Sequence, residues 1–225
     1  AEAVEGFRGD DGVRCVVVRG AGATAFCAGA DISEFAEAGA GEDPNLAYER
    51  TTREVLARLQ QLPQPTIAMV SGYCIGGGLA LALSCDLRVG SAGSSYGVPA
   101  ARLGLGYQVD GLRRLACLIG PAKAKQLLFT AARLPAEEAH WIGLIDELTT
   151  PEELEPRVRE MAATIAGNAP LTISAAKAAI DLGPGATEAD RRRADELARA
   201  CFASEDFREG RRAFAEKRQP VFKGR

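Results

Sequence analysis

The stretch GYCIGGGLALALSCD, Gly72–Asp86, decides the reading of this chain. Three consecutive glycines open an apolar run that contains no acid, lysine or histidine before Asp86. Upstream, QPTIAMVSGYC (64–74) is β-branched and reads as a strand; downstream, CDLRVGS (85–91) reads as another. The segment from Gly76 to Ser84 between them fits only a buried helix. A glycine elbow feeding a helix presents backbone N–H groups that the helix itself cannot satisfy. Without a P-loop lysine such amides suit a single oxygen acquiring negative charge better than a phosphate, and the alternative is that the glycines only permit close helix packing.

Outward from this elbow the chain divides by pattern. VRCVVVRG (13–20) reads as a buried strand and DPNLAYERTTREVLARLQQLP (43–63) as a helix closed by Pro63. After Pro121 every apolar segment has helical spacing: PAKAKQLLFT, PAEEAHWIG, PEELEPRVREMAATIAGN, PLTISAAKAAIDLG and EADRRRADELARACFASEDFREGRRAFAEKR. Pro121, Pro135 and Pro151 stand near helix starts, and LGPGA (182–186) separates the last two. The layout predicts an α/β core over 1–120 followed by a helical region over 121–225.

Composition narrows the function classes. The 225 residues carry 47% hydrophobic and 25% charged side chains and a net charge of −3, an ordinary globular balance without a basic nucleic-acid footprint. The run from Ile75 to Cys85 is too short to span a bilayer, and AEAVEGFRGDD at the start has no signal-peptide pattern. Cys15, Cys27, Cys74, Cys85, Cys117 and Cys201 form no CxxC pair and mostly sit in apolar runs, as expected of buried reduced thiols in a cytoplasmic protein. One histidine, His140, leaves no histidine-built metal site.

Other motifs weigh less. RGAGATA fits G-x-G-x-x-A through Gly20, Gly22 and Ala25, but FCAGADISEF follows where a dinucleotide fold requires a long helix. GSSYG (93–97) fits G-x-S-x-G around Ser95, yet Pro99 stands where the helix after a nucleophile elbow should begin. Asp31, Asp86 and Asp110 are isolated acids of the kind that cap helices or shape turns. FCAGAD supplies a second glycine-bearing loop after a strand, hence a second backbone donor.

AFCAGADISEF together with GYCIGGGLALALSCDLRV resembles the crotonase superfamily, the enoyl-CoA hydratase/isomerase group. The resemblance extends through VPAARLGLGYQVDGLRRL, FTAARLPAEEAHWIGLIDEL, NAPLTISAAK and SEDFREGRRAFAEKRQPVFKGR to the last residue. It implies a crotonase-type spiral of ββα units with a helical C-terminal region, a homotrimer or hexamer, an acyl-CoA thioester as partner, and no cofactor beyond the CoA of the substrate. It also implies about thirty residues N-terminal to this sequence. The thioester oxygen would lie between the N–H groups of Ala30 and Gly77. Ala28, Asp31 and Ile32 would run along the CoA, and Phe214 and Lys217 match residues that reach the CoA of a neighbouring subunit.

Where typical hydratases carry two glutamates, this chain has Ala80 and Ala100, and water addition needs a positioned acid and base. Tyr107 falls where the methylmalonyl-CoA decarboxylase branch keeps a tyrosine, although that branch has a histidine at the position of Ala30. Gln108 replaces an aspartate used by the dienoyl-CoA isomerase and dehalogenase branches. The resemblance therefore implies a lyase-type step on an enolate. It is either decarboxylation of a short malonyl-type CoA with Tyr107 orienting the substrate, or hydration using Asp110. Enoyl-CoA isomerisation and acyl-CoA binding without turnover are the alternatives.

Overall fold

The computed structural model describes residues 2–30, 44–183 and 185–225. In chain order the elements are α1 (Glu2–Arg8), β1 (Val16–Arg19), β2 (Ala25–Cys27), α2 (Pro44–Gln60), β3 (Thr66–Val70), β4 (Tyr73–Ile75), α3 (Gly77–Leu83), β5 (Leu87–Ser91) and β6 (Ser95–Gly97). They continue with α4 (Ala100–Leu103), α5 (Val109–Thr130), β7 (Arg133–Pro135), α6 (Ala136–Trp141), β8 (Glu147–Thr149), α7 (Pro151–Gly167), α8 (Pro170–Ile180), α9 (Glu188–Ala203) and α10 (Glu205–Glu216).

Among the described residues two sheets of four strands form, ordered β1-β3-β5-β8 and β2-β4-β6-β7. The β3–β5, β5–β8, β2–β4 and β4–β6 pairs are parallel, and β6–β7 is antiparallel. From β1 to β6 successive strands alternate between the sheets, so each turn of the chain adds one strand to each; β7 then pairs with β6 in the same sheet and β8 returns to the first. This is the spiral of ββα units. The alternation corrects the sequence reading of 64–74 as a single strand. The chain turns a corner at Gly72 (φ +67), and a Cβ there would lie 2.0 Å from Thr24 O of the preceding coil. Only glycine fits this corner. The coils are laced at the same place: Tyr73 N donates to Thr24 O at 3.2 Å, Ser71 Oγ to Ala23 O at 3.0 Å, and Ser95 N to Gly72 O at 3.0 Å.

The chain gathers into two compact units, residues 17–61 with 66–159, and residues 2–16 with 62–65 and 160–225. The C-terminal half of α5 and all of α6, which lie beyond residue 120, gather in the same unit as the strands. The first unit is cored by Ile67, Val70, Leu79, Val89, Val98, Leu144 and Ile145, all fully buried. Each such side chain contributes about 1.5–3 kcal/mol by leaving water. Polar pins set the strand register. The Asp86 carboxylate accepts from Thr66 N (2.7 Å) and Thr66 Oγ1 (3.0 Å), which joins the starts of β3 and β5. Arg88 reaches Asp146 at 2.9 Å and also donates to the carbonyls of Cys85 and Leu144.

In the second unit α8 packs on α9, and α9 on α10. The single long helix expected over 188–218 is broken at Ser204, whose hydroxyl accepts from Phe207 N at 3.0 Å and starts α10. The buried Asp206 then holds the C-terminal segment through Lys223 N (2.7 Å) and Gly224 N (2.8 Å). Pro121 begins a helical stretch as expected, since Gly120 leaves helical geometry (φ 77, ψ 154) within α5. Among the described residues no helix is long and apolar enough to cross a membrane.

Candidate active site

The elbow is built from β4 and α3. Gly76 has φ 57 and ψ −117 and donates its N–H to Gly97 O at 2.8 Å, which fixes the turn against β6. Gly77 is the first residue of α3 and no side chain caps the helix. Its N–H therefore lies at the positive end of a buried helix, among the amides that α3 cannot itself satisfy.

α3 lies directly on β2, because a Cβ at Gly78 would overlap Cys27 O at 2.0 Å. This approach brings the loop that follows β2 beside the elbow. Gly29, at φ +100, is so placed that an added Cβ would stand 3.6 Å from Gly77 N and 3.3 Å from Ile75 O. The two glycine-bearing segments of the sequence are thus neighbours, with Ala28 exposed and Ala30 half-buried beside Gly29. Asp31 and Ile32 lie outside the described residues.

The side chains around the elbow carry little acid or base. Ala80 is 9% exposed inside α3, and its carbonyl accepts from Ser84 Oγ at 2.9 Å. Ala100 is half-buried at the first position of α4. Asp110 is exposed in the first turn of α5 and is not its cap; the N-cap is Gln108, whose amide donates to Glu49 O of α2 at 3.3 Å. Tyr107 is half-buried, and its phenol donates to Gly76 O at 3.0 Å. A Cβ at Gly111 would lie 3.3 Å from Tyr107 Cε1, so the ring sits over that glycine. Nothing in the sequence announced this contact, because Tyr107 stands before Gln108, the N-cap of α5, and its partner Gly76 lies 31 residues earlier.

Other nucleophile candidates are structural. Ser95 lies within β6 rather than at a strand–helix elbow, which removes the hydrolase reading. Its neighbours explain the motif instead: Ser94 Oγ is 2.9 Å from the buried Tyr96 phenol and 2.7 Å from Ser91 O. Cys74, inside the elbow, is fully buried, and burial pushes its thiol far above the ordinary range, with Cys27 and Cys85 adding to the shift. It holds no thiolate at neutral pH. All six cysteines are free, but only Cys74 and Cys85 are buried and Cys117 is exposed, so the expectation of buried thiols holds for two of them. His140 is exposed on α6, its Nδ1 3.4 Å from Ile145 O. In the second unit, Phe214 is 88% exposed on α10 and Lys217 closes that helix at φ 53.

The enoyl-CoA hydratase/isomerase family model matches residues 1–225. The chain belongs to this family. It is 38% identical over 212 residues to the short-chain-enoyl-CoA hydratase of Clostridium acetobutylicum, a match covering 93% of this chain and 80% of the relative. It is 34% identical over 216 residues to the methylmalonyl-CoA decarboxylase of Escherichia coli K12, covering 94% and 82%. The crystal structure of enoyl-CoA hydratase from Bacillus anthracis superposes with a TM-score of 0.93 at 33% identity, covering 100% of this chain and 86% of that one. Members of the family process acyl-CoA thioesters, and the family's spiral fold is the one found here.

Proposed function

We propose that this chain is a lyase that binds an acyl-CoA thioester and stabilises its enolate through the N–H groups of Ala30 and Gly77. The reaction favoured is decarboxylation of a short malonyl-type CoA. One observation carries that choice: the elbow is intact, while the positions at which hydratases place glutamates hold the methyl groups of Ala80 and Ala100. In the step, the bond between Cα and the substrate carboxylate breaks and carbon dioxide leaves. The electron pair moves onto the thioester oxygen as an enolate, and solvent then protonates Cα. No base is needed to start it, and preorganised donors at the oxygen supply the stabilisation, each about 3 kcal/mol.

Hydration with Asp110 as the acid is the second reading, and the 38% identity to a hydratase supports it. The exposed position of Asp110 favours it less, since a general acid must be held within hydrogen-bond reach of the reacting carbon and Asp110 faces open solvent. Self-association as a trimer or hexamer belongs to the same proposal. The exposed Ile180, Phe202 and Phe214 of the second unit support it, and so does Lys217 beside Phe214 for CoA contact. CoA enters as part of the substrate, with no separate cofactor.

The test is mass spectrometry of crotonyl-, methylmalonyl- and ethylmalonyl-CoA incubated with the enzyme. Loss of carbon dioxide from a malonyl-type substrate supports the proposal. Gain of water on crotonyl-CoA alone would replace it with the hydratase reading. Binding of CoA with no turnover of any substrate would reduce the chain to an acyl-CoA-binding protein.

A further inference from the structure

We infer that Tyr107 is a positioning residue for the oxyanion site, acting on the peptide that supplies the Gly77 donor rather than on the substrate. The inference rests on the proposed role of the Gly77 N–H. The carbonyl of Gly76 and the N–H of Gly77 belong to one planar peptide, pointing to opposite sides. The phenol of Tyr107 donates to that carbonyl at 3.0 Å, and Ala80 N donates to it as well at 3.1 Å.

Two consequences follow. Gly76 occupies a backbone region (φ 57, ψ −117) open to glycine alone, and glycine also permits its neighbouring peptide to rotate. Rotation of the 76–77 peptide would break the phenol bond, so Tyr107 holds the N–H in the direction the oxyanion requires. The phenol also withdraws electron density from the carbonyl, and hydrogen bonds in series strengthen one another by roughly 10–30%. The Gly77 N–H becomes a better donor. Gly111 completes the device, because its missing side chain leaves the seat on which the Tyr107 ring rests.

The placement also bears on specificity. A phenol that donates its single proton to Gly76 O has only its lone pairs to offer a second partner. It is therefore suited to tuning the elbow and ill suited to donating to a substrate carboxylate in the same state.

The experiment uses butyryl-CoA carrying a 13C-labelled thioester carbonyl, which binds but has no carboxylate to lose. Difference infrared spectra give the carbonyl stretch of the bound probe, and calorimetry gives its Kd. In the wild-type enzyme the stretch moves to lower frequency as the two amides polarise the carbonyl. In Tyr107→Phe, which keeps the ring, the displacement is expected to shrink by about a third or more, with Kd changed by less than about threefold and kcat falling roughly tenfold. That is less than the ~10²–10³ expected for loss of a whole donor. Gly111→Ala is expected to reproduce the smaller displacement with an unchanged or raised Tm, since alanine is the better helix former but forces the ring to move.

An unchanged displacement in both variants overturns the positioning role while leaving the oxyanion site intact. Absence of any displacement in the wild type overturns the oxyanion reading itself, and this inference with it. A Tyr107→Phe enzyme that no longer binds the probe would make Tyr107 a substrate contact instead.

Discussion

Gly29 and Gly77, 48 residues apart in sequence, are so close that a single added carbon on the first would stand 3.6 Å from the nitrogen of the second. The same carbon would require alanine at φ +100. Gly29→Ala is therefore expected to strain the loop by about 1–3 kcal/mol and to crowd the space in front of the Gly77 N–H. Turnover of whichever substrate the panel identifies should fall by roughly 10² or more, with far-UV circular dichroism unchanged. Turnover within about threefold of wild type would show that the space is not part of the site.

The alanines at 80 and 100 make a second prediction. Ala100→Glu adds a carboxylate at the start of a helix on a half-buried residue, where it should be tolerated within about 1 kcal/mol. Ala80→Glu buries a charge in α3 and should destabilise by about 1–3 kcal/mol, read from urea melts. The double variant should gain hydration of crotonyl-CoA, followed as loss of its enoyl absorbance. A parent enzyme that already hydrates as fast would show that the two glutamates are dispensable here.

Arg88 and Asp146 are the principal ionic pin of the first unit. The Arg88 side chain is 5% exposed and also donates to three backbone carbonyls, those of Leu144, Cys85 and Asp86. Arg88→Met should cost about 3–5 kcal/mol, because it leaves those carbonyls without their donor and leaves the Asp146 carboxylate only the backbone N–H of residue 88 and solvent. Asp146→Asn keeps hydrogen-bonding capacity at a half-exposed position and should cost about 1–2 kcal/mol. Equal losses in the two variants, by denaturant titration, would contradict this order.

The C-terminal segment should show a defined acid response. Hydrogen bonds from Arg218 and then Arg212 hold the Glu209 carboxyl far below its ordinary value of 4.5, helped by the N–H of Val221. A depressed folded pKa adds stability that is full above the unfolded value and declines as pH falls from there toward the folded one. The stability difference between wild type and Glu209→Gln should thus stay constant above about pH 5 and narrow progressively below pH 4.5. Hydrogen exchange of α10 measures it, and a difference that does not change with pH would remove the linkage.

Several features are legible in the sequence alone. The GGG elbow, the apolar helix behind it, the second glycine loop at CAGA and the helix-rich chain after Pro121 are local signals. Glycine conformations, apolar spacing and proline positions depend on residues a few places apart. The carboxylates absent at 80 and 100 are likewise a matter of residue identity. Short strands were less legible: β2, β7 and β8 are three residues each and too brief to show a period. The corner at Gly72 hid inside a continuous β-branched run because its cause, the carbonyl of Thr24, lies on another coil.

The sequence by itself determined the parts: two glycine-bearing loops, a buried helix to give one of them a dipole, and no carboxylate pair beside it. Tertiary structure alone decided how they meet. It set Gly78 on the backbone of Cys27, brought Gly29 beside Gly77, turned Asp86 and Arg88 into strand pins, and aimed the Tyr107 phenol at Gly76. Each of these is a contact of a few ångströms between residues that the chain separates by 20 to 58 positions. Such distances are fixed by the stacking of coils and the exclusion of overlapping atoms, and no local preference of the residues encodes them.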